Sequence, residues 1–234
     1  MNIKGILFDK DGTLIEFSTS WMPAIIEAAN YFSNNDPILT QQILAASGYD
    51  EKTNQVLAGS LLAAANNQQI AQCWSQFIAI DADQNMVDKL DEIFQYHSQH
   101  NSVAATDLNV LFDNLISRNI KLGVATSDSE QGARSTLEAF GVVQKMDFIC
   151  GYNSGHGIKP ESGMVDAFCQ QMNLLPSEVM VVGDNTHDLH MAKNAGAKLS
   201  VGVLTGTSSA VKLHEANYIL DHIGDIPELL DNIC

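Results

Sequence analysis

Two pairs of aspartates are the residues of this sequence best suited to chemistry, because each pair follows a short run of apolar and β-branched residues. The pairs are Asp9 with Asp11 and Asp184 with Asp188. Two carboxylates about 4 Å apart repel each other by about 4 kcal/mol at an effective dielectric constant of about 20. If the four converge, a cation must neutralise them, and Mg²⁺ prefers such oxygen ligands. The sequence offers no cysteine and histidine ligand set of the kind that zinc prefers.

A lysine and two hydroxyl residues are placed where they could bind an anion beside these carboxylates. Thr126 and Ser127 follow the apolar run of residues 120–125, and Lys159 lies in the glycine-rich loop of residues 155–160. The chain has 28 acidic and 12 basic residues and a formal net charge of -16. Any phosphate site in it therefore needs local positive charge, from a lysine, a bound cation or helix N-termini.

The elements that must position these side chains are strands alternating with helices. Strands are predicted at residues 3–8, 120–125, 148–150, 179–182, 200–204 and 218–220, with helical stretches between the later ones. This alternation predicts an α/β fold, a Rossmann-like parallel sheet with helices on both faces. Ligands of such sheets bind outside the carboxyl ends of the strands, where the candidate residues lie.

A helical block interrupts this pattern after the first strand. Residues 21–96 repeat apolar positions at helical spacing and contain three turn signals, which predicts four or five short helices. We therefore expect a core of residues 1–15 and 96–234, with an all-helical cap domain of residues 16–95 inserted into it. Trp21, Trp74, Phe77 and Phe94 are expected in the hydrophobic core of the cap rather than as a platform for substrate.

Four short motifs together resemble those of the haloacid dehalogenase superfamily. Residues 9–14 (DKDGTL) resemble its first motif, Thr126 its second, Lys159 with Pro160 its third, and residues 183–188 (GDNTHD) its fourth. The resemblance covers essentially the whole chain. It is closest to the phosphoglycolate phosphatase-like branch, whose helical (C1-type) cap is inserted just after the first motif.

The resemblance implies a role for each motif residue. Asp9 would attack phosphorus and form an aspartyl-phosphate, and Asp11 would protonate the leaving oxygen and then activate water. Thr126 and Lys159 would bind the transferred phosphoryl group. Mg²⁺ would be held by Asp9, Asp184 and the main-chain carbonyl of Asp11, and Asp188 would support the metal through water or Lys159.

Five further residues receive secondary roles. Ser127 and Lys52 are candidates for binding substrate, Lys52 because residues 48–53 form a polar segment where relatives often carry specificity residues. A solvated loop is an equal alternative for that segment. Gly12 and Thr13 would support the site through the geometry of the turn. Lys10 is expected to point outward into solvent.

The leading function is hydrolysis of a small phosphomonoester, such as phosphoglycolate or a sugar phosphate. A sugar phosphomutase of the β-phosphoglucomutase type is the alternative, although the predicted cap has only Lys52 and Lys89 with which to grip a second phosphate. A non-catalytic binding protein is a weaker third possibility. The small phosphorylated metabolite is the expected partner of a monomer or small homo-oligomer.

Composition excludes several other classes. The acidic excess argues against binding to nucleic acid or to an anionic membrane surface. Four cysteines without a CxxC pair indicate reduced thiols, and the apolar run at the start is too short for a signal peptide. A cytoplasmic location is therefore expected.

Overall fold

The computed structural model describes residues 3–53 and 55–233. Its strands are β1 (Gly5–Phe8), β2 (Tyr49–Asp50), β3 (Gln55–Val56), β4 (Lys121–Ala125), β5 (Phe148–Cys150), β6 (Val179–Gly183), β7 (Leu199–Val203) and β8 (Tyr218–Leu220). Its helices are α1 (Phe17–Phe32), α2 (Pro37–Ala46), α3 (Leu61–Ala64), α4 (Asn67–Trp74), α5 (Gln84–His100), α6 (Leu108–Ser117), α7 (Glu130–Ala139), α8 (Gly163–Met172), α9 (Thr186–Ala195) and α10 (Ile226–Ile233).

Six of the strands form one parallel sheet, in the order β5-β4-β1-β6-β7-β8. From β1 the chain moves outward through β4 and β5, and it then returns to β6 on the other side of β1. The strand order therefore reverses between β1 and β6, which is where open α/β sheets bind their ligands.

Both faces of the sheet are covered by helices, and β1 shows how the side chains divide between them. Ile6 and Phe8 pack in a cluster with residues of α6, α7 and α10, whereas Leu7 packs in a second cluster with residues of α8 and α9. Because strand side chains alternate between faces, a central strand in a two-sided core is apolar at every position. All four residues of β1 are buried, and the predicted α/β fold is confirmed.

The block inserted after β1 contains α1 to α5 and a hydrophobic cluster of its own. It differs from the predicted all-helical cap, because β2 and β3 pair as a short antiparallel hairpin. Strands of two residues are too short to show an alternating pattern, so the sequence contained no signal for them. Trp21, Trp74 and Phe94 lie in the cluster as expected, but Phe77 is 42% exposed.

The predicted boundary at residues 95 and 96 falls within α5, which continues to His100. Asp83 caps the start of this helix by accepting a hydrogen bond from the amide of Met86 at 3.0 Å, and Leu90, Ile93 and Phe94 continue its buried face. The helix also contacts the core through Gln95, whose amide donates to Ser135 of α7 at 3.1 Å. The division into two domains stays a prediction.

The two chain segments that join the inserted block to the sheet lie side by side. The amide of Glu16 donates to the carbonyl of Val103 at 2.9 Å, and the amide of Ala105 donates to the carbonyl of Leu14 at 3.0 Å. The insertion therefore leaves and rejoins the core at one place. None of the helices described has the length and apolar character needed to cross a lipid bilayer.

Candidate active site

A buried lysine joins two of the predicted aspartates at the end of β1. Asp9 directly follows this strand, and its amide donates to the carbonyl of Val182 in β6 at 2.8 Å. The Nζ of Lys159 lies 2.5 Å from Oδ1 of Asp9 and 2.6 Å from Oδ1 of Asp188. Since all three residues are buried, the ammonium group is held between the two carboxylates with little freedom to move.

The remaining carboxylates come from the turn between β6 and α9. Asp188 forms part of the helix cap, because its Oδ2 accepts a hydrogen bond from the amide of Asn185 at 3.0 Å. Oδ2 of Asp184 accepts one from the amide of Thr207 at 2.9 Å. Asp9, Asp184 and Asp188 can each offer a carboxylate oxygen within 4.8 Å of the others. Strands β1 and β6 thus bring together carboxylates that lie far apart in the sequence.

The three carboxylates carry more negative charge than one lysine neutralises. Burial raises the pKa of Asp9 from 3.8 to about 7, although Lys159 acts to lower it. Burial, followed by the charge of Asp9, raises the pKa of Asp184 well above its ordinary range. Burial lowers the pKa of Lys159, but the charges of Asp188 and Asp9 outweigh this effect and raise it. Lys159 is therefore a permanent cation here, and the site favours a second one.

This donor set fits Mg²⁺. Buried carboxylate oxygens are hard ligands, and a divalent ion would relieve the repulsion that raises the pKa values of Asp9 and Asp184. Among the described residues no cysteine belongs to the group of potential ligands, which argues against a structural zinc site.

Asp11 lies beside this cluster with its carboxylate held on both oxygens. Oδ1 lies 2.6 Å from Nζ of Lys10 and 2.5 Å from Nε1 of Trp21. Oδ2 lies 3.4 Å from Oγ1 of Thr126. Trp21 belongs to α1 in the inserted block, so a residue of the insertion holds a carboxylate of the core.

Lys10 differs from its predicted position, because its side chain is fully buried and not solvated. Its Nζ lies 3.1 Å from Oδ2 of Asp128 and 4.9 Å from the centroid of a Trp21 ring. The expectation of an outward side chain assumed regular alternation along the strand. The chain turns at this position, where the amide of Leu14 donates to the carbonyl of Lys10 at 2.9 Å, and the side chain enters the core.

A pocket opens above these residues, between the carboxyl end of the sheet and the inserted block. Its volume is about 640 Å³, including the part open to solvent. The sheet side is polar and carries Asp9, Asp11, Ser127, Asp128, Lys159, Asp184, Asn185, His187 and Asp188. The side formed by the insertion consists of Phe17, Trp21, Ile25, Leu62, Ala63, Ala64, Ala65, Asn67, Ile70 and Phe94.

Residues 6–202 match the family of haloacid dehalogenase-like hydrolases. The chain belongs to this family. The family membership expected from the four motifs is thereby confirmed.

Relatives of this haloacid dehalogenase-like hydrolase carry more than one name. A protein from Bacillus mycoides named pyrophosphatase PpaX is 23% identical over 100% of this chain and 99% of its own. A solved structure described as a predicted phosphoglycolate phosphatase from Haemophilus somnus has a TM-score of 0.71 at 19% identity, covering 98% of this chain and 99% of the other. A putative β-phosphoglucomutase from Thermotoga maritima has a TM-score of 0.70 at 17% identity, covering 99% and 100%.

The structure of this family member brings most of the predicted site residues together. Asp9, Asp11, Lys159, Asp184 and Asp188 share the pocket with Ser127. Thr126 is fully buried behind it; its Oγ1 accepts a hydrogen bond from the amide of Asp128 at 3.1 Å. The roles of these side chains in the reaction remain predictions.

Three of the secondary candidates have different surroundings. Lys52 is exposed in the turn of the β2–β3 hairpin and is not among the described residues that line the pocket. Gly12 has a φ of 86°, which suits glycine, and a Cβ there would lie 2.8 Å from Cγ of Asp184. Thr13 is fully buried, which agrees with its expected role in the turn.

Sequence reasoning missed the loop that follows β7. The hydroxyl of Thr205 donates to the carbonyl of Gly12 at 2.7 Å, and a Cβ on Gly206 would lie 1.9 Å from Oδ2 of Asp184. This loop could have been found by the rule that found the others, since it follows the carboxyl end of a predicted strand. Trp21 was missed as a contact of Asp11 because its position matched a buried helix face.

Proposed function

We propose that this haloacid dehalogenase-like hydrolase is a magnesium-dependent phosphatase that cleaves small phosphomonoesters through an aspartyl-phosphate on Asp9. The observation that carries the proposal is the buried cluster of Asp9, Lys159, Asp184 and Asp188 beside Asp11, at the point where the strand order reverses. Phosphoryl transfer depends on positioning and on neutralising phosphate oxygens, and this cluster supplies both once a divalent ion is bound.

In the first step Asp9 attacks phosphorus. Lys159 binds Oδ1 of Asp9, which leaves Oδ2 free to form the new bond to phosphorus. The bond from phosphorus to the ester oxygen breaks, and Asp11 gives a proton to the departing alkoxide. The free alcohol leaves, and the phosphoryl group stays on Asp9.

In the second step Asp11 is a carboxylate and acts as the base. It takes a proton from water as the water oxygen attacks phosphorus, and the bond between phosphorus and Asp9 breaks. Inorganic phosphate is released, and both aspartates return to their starting states. Lys159 stays protonated throughout, because Asp188 and Asp9 raise its pKa, so it can bind phosphate oxygens in both steps.

Asp9 and Asp184 would hold Mg²⁺ together with the main-chain carbonyl of Asp11, and Asp188 would position Lys159 and the turn. When bound, the ion neutralises charge on a phosphate oxygen and on the carboxylates around it. The amide of Thr207 donates to Oδ2 of Asp184, which restricts the movement of this carboxylate.

The test is phosphate release from a panel of small phosphomonoesters, with and without Mg²⁺, by wild type and by Asp9→Asn. We expect release that requires Mg²⁺ and that Asp9→Asn abolishes, because an amide cannot serve as this nucleophile. Asp184→Asn should require much more Mg²⁺ for the same rate. Release that survives Asp9→Asn would contradict the proposal.

Two other activities can be measured in the same assay. Isomerisation of a sugar phosphate without net phosphate release would indicate a mutase, and hydrolysis of pyrophosphate would match the name of the Bacillus mycoides relative. Both substrates place a second phosphate in the pocket. The described pocket residues include one lysine and no arginine, so we rank a phosphomonoester first. No turnover of any substrate would favour a binding protein.

The cellular setting is also proposed. A small phosphorylated metabolite is the expected partner, in the cytoplasm, and the chain is expected to be a monomer or a small homo-oligomer. The acidic net charge of -16 supports the exclusion of polyanionic partners.

A further inference from the structure

The pocket has two chemically different halves, and the half formed by the insertion is apolar. Of its ten described lining residues, nine are apolar and the tenth is Asn67. Its largest members are Phe17, Trp21, Ile25, Leu62, Ile70 and Phe94, each at most 8% exposed. These six side chains also belong to the hydrophobic cluster of the insertion, so the wall of the pocket is an edge of that cluster.

The polar groups near this wall are already engaged. Nδ2 of Asn67 donates to Oδ1 of Asp91 at 2.6 Å, and Nε1 of Trp21 donates to Asp11 at 2.5 Å. Lys159 is bound between Asp9 and Asp188. Apart from Lys159, the described pocket residues include no lysine or arginine with which an anionic group placed against the wall could pair.

Asp11 fixes which end of a substrate meets the wall. As the proton donor it must lie beside the ester oxygen, and Trp21 contacts the same carboxylate from the apolar side. With the phosphate on Asp9 and Lys159, the carbon atoms of the alcohol lie against Phe17, Trp21 and their neighbours. A charge on the alcohol would be desolvated there, and a negative charge would also be repelled by the carboxylates on the sheet side of the pocket, among them Asp128.

We propose that the substrates are phosphate monoesters of uncharged, largely apolar alcohols. This inference rests on the proposed phosphatase function and narrows it to a substrate class. Branched aliphatic and aromatic alcohols fit the wall, whereas phosphoglycolate, bisphosphates and pyrophosphate present a second anion to it. Burial of the apolar alcohol against the wall provides the affinity for these esters. Substrates with a second anion bind less well, because that anion would be buried without a partner.

The test compares two esters of nearly equal shape and opposite character. Isopentyl phosphate and the phosphate ester of β-hydroxypropionate share a primary alkoxide leaving group and a branched end, which is apolar in the first and a carboxylate in the second. With full-length wild type and saturating Mg²⁺, we expect kcat/KM to be at least about 100-fold higher for isopentyl phosphate. Equal or reversed preference, or faster hydrolysis of pyrophosphate, would overturn the inference.

A pair of variants tests the cause of the preference. Ala64 is half-buried in the apolar wall, so a long side chain there can reach solvent and spare the fold. Ala64→Lys should raise relative kcat/KM for the carboxylate ester about tenfold or more by supplying the missing cation. Ala64→Gln adds similar length without charge and should not. If both variants change the preference equally, charge is not its cause.

Acetyl phosphate separates this inference from the function on which it rests. It is a small activated phosphoryl donor that needs little contact with the wall. If Asp9-dependent hydrolysis of acetyl phosphate occurs without a preference for the isopentyl ester, the substrate class is wrong and the phosphatase proposal stands. If acetyl phosphate and both esters are inert, both proposals fail.

Discussion

Lys10 is a charged residue without access to solvent, held between Asp11 and Asp128 and close to the Trp21 ring. Burial lowers its pKa, but the two carboxylates outweigh this effect and raise it. An ammonium group in such a place neutralises the carboxylates and also limits where Asp11 can point. The residue between Asp9 and Asp11 is therefore part of the architecture of the site.

Removing this ammonium group should destabilise the protein. Lys10→Met leaves Asp11 and Asp128 close together without their cation, and losing one partner of a buried ion pair typically costs about 3–5 kcal/mol. We expect a loss of about 3 kcal/mol in the free energy of unfolding, measured by urea denaturation. The double variant Lys10→Met with Asp128→Asn should recover part of the loss. A double variant less stable than the single one would contradict this account.

The hydrogen bond from Trp21 to Asp11 should matter most when the leaving group needs a proton. Trp21→Phe keeps an aromatic wall but removes the N–H donor, so we expect kcat/KM for an alkyl phosphate to fall about 10- to 100-fold. The kcat/KM for nitrophenyl phosphate, whose leaving group departs without a proton, should change less than about threefold. The measurement is the ratio of the two kcat/KM values, because kcat/KM excludes the second step, in which Asp11 acts as the base for both substrates.

Trp74→Phe is the matched control for this experiment. Trp74 is also a buried tryptophan of the insertion, but its Nε1 donates to Ser47 at 2.6 Å, away from the pocket. Its replacement should leave the ratio of kcat/KM values unchanged. Equal losses on both substrates in Trp21→Phe would assign Trp21 a structural role only.

At the scale of elements, the loop after β7 restricts the position of the Asp184 carboxylate. Gly206 lies against this carboxylate, and the neighbouring amide of Thr207 donates to it. Together with the turn after β1, the loop encloses Asp184 from both sides. The position of Asp184, the proposed metal ligand, thus depends on the backbone of a third strand connection.

Adding one methyl group at Gly206 should displace that ligand. In Gly206→Ala the Cβ would lie 1.9 Å from Oδ2 of Asp184, so the carboxylate or the loop must move. We expect activity at limiting Mg²⁺ to fall about 100-fold or more, with partial recovery at high Mg²⁺. Gly141→Ala is the control for lost stability, because its φ of 68° disfavours alanine although nothing lies within 4 Å of the added atom; its Mg²⁺ dependence should stay normal. Normal Mg²⁺ dependence in Gly206→Ala would show that the loop does not control the position of Asp184.

The elements differ in how far the sequence could predict them. Strands β5 and β8 have their predicted bounds. Of the other predicted strands, β1, β4 and β6 differ by one or two residues at one end, and β7 is displaced by one residue at both ends. This accuracy has a physical reason, because strands buried on both faces are continuous apolar runs that end at polar turns. The hairpin of β2 and β3 had no comparable signal because its strands are too short to show an alternating pattern. The end of α5 had none because no glycine or proline follows His100 closely.

At the scale of the whole molecule, the convergence of Asp9, Lys159 and Asp184 could be predicted, but the pocket wall could not. The carboxyl ends of parallel strands must share one edge of the sheet, so polar residues after strands are drawn together. Phe17, Ile70 and Phe94 come from three different helices. Each reads as an ordinary core residue, and only the packing of the helices shows that they border a cavity.

The free energy of unfolding should depend on pH through the charge of Asp9. Without a metal ion, burial and the charges of Asp188 and Asp11 raise the pKa of Asp9 from 3.8 to about 7, although Lys159 acts to lower it. A raised pKa means that the folded state binds the proton more tightly. The contribution of Asp9 to stability is therefore fully present below about pH 4 and is lost as the pH rises to about 7.

Mg²⁺ must displace this proton, so its stabilising effect should grow over the same range. We expect the increase in Tm caused by saturating Mg²⁺ to be several degrees larger at about pH 8 than at about pH 5. Thermal unfolding in Mg²⁺ and in a chelator measures it. Asp9→Asn should make the increase smaller and less dependent on pH, with the remaining dependence coming from Asp184, whose pKa burial also raises. An increase that is larger in acid would contradict the assignment of Asp9 as a ligand.

The hydrogen bonds that join Glu16 to Val103 and Leu14 to Ala105 affect how such a chain can evolve. Because the points where the inserted block leaves and rejoins the core are adjacent, this block can be exchanged, lengthened or shortened while β1 and β4 keep their pairing. The core residues proposed to act on phosphate and the inserted residues proposed to contact the alcohol can then change independently during evolution. Grafting another segment between these two junctions would give the same aspartates a different range of substrates.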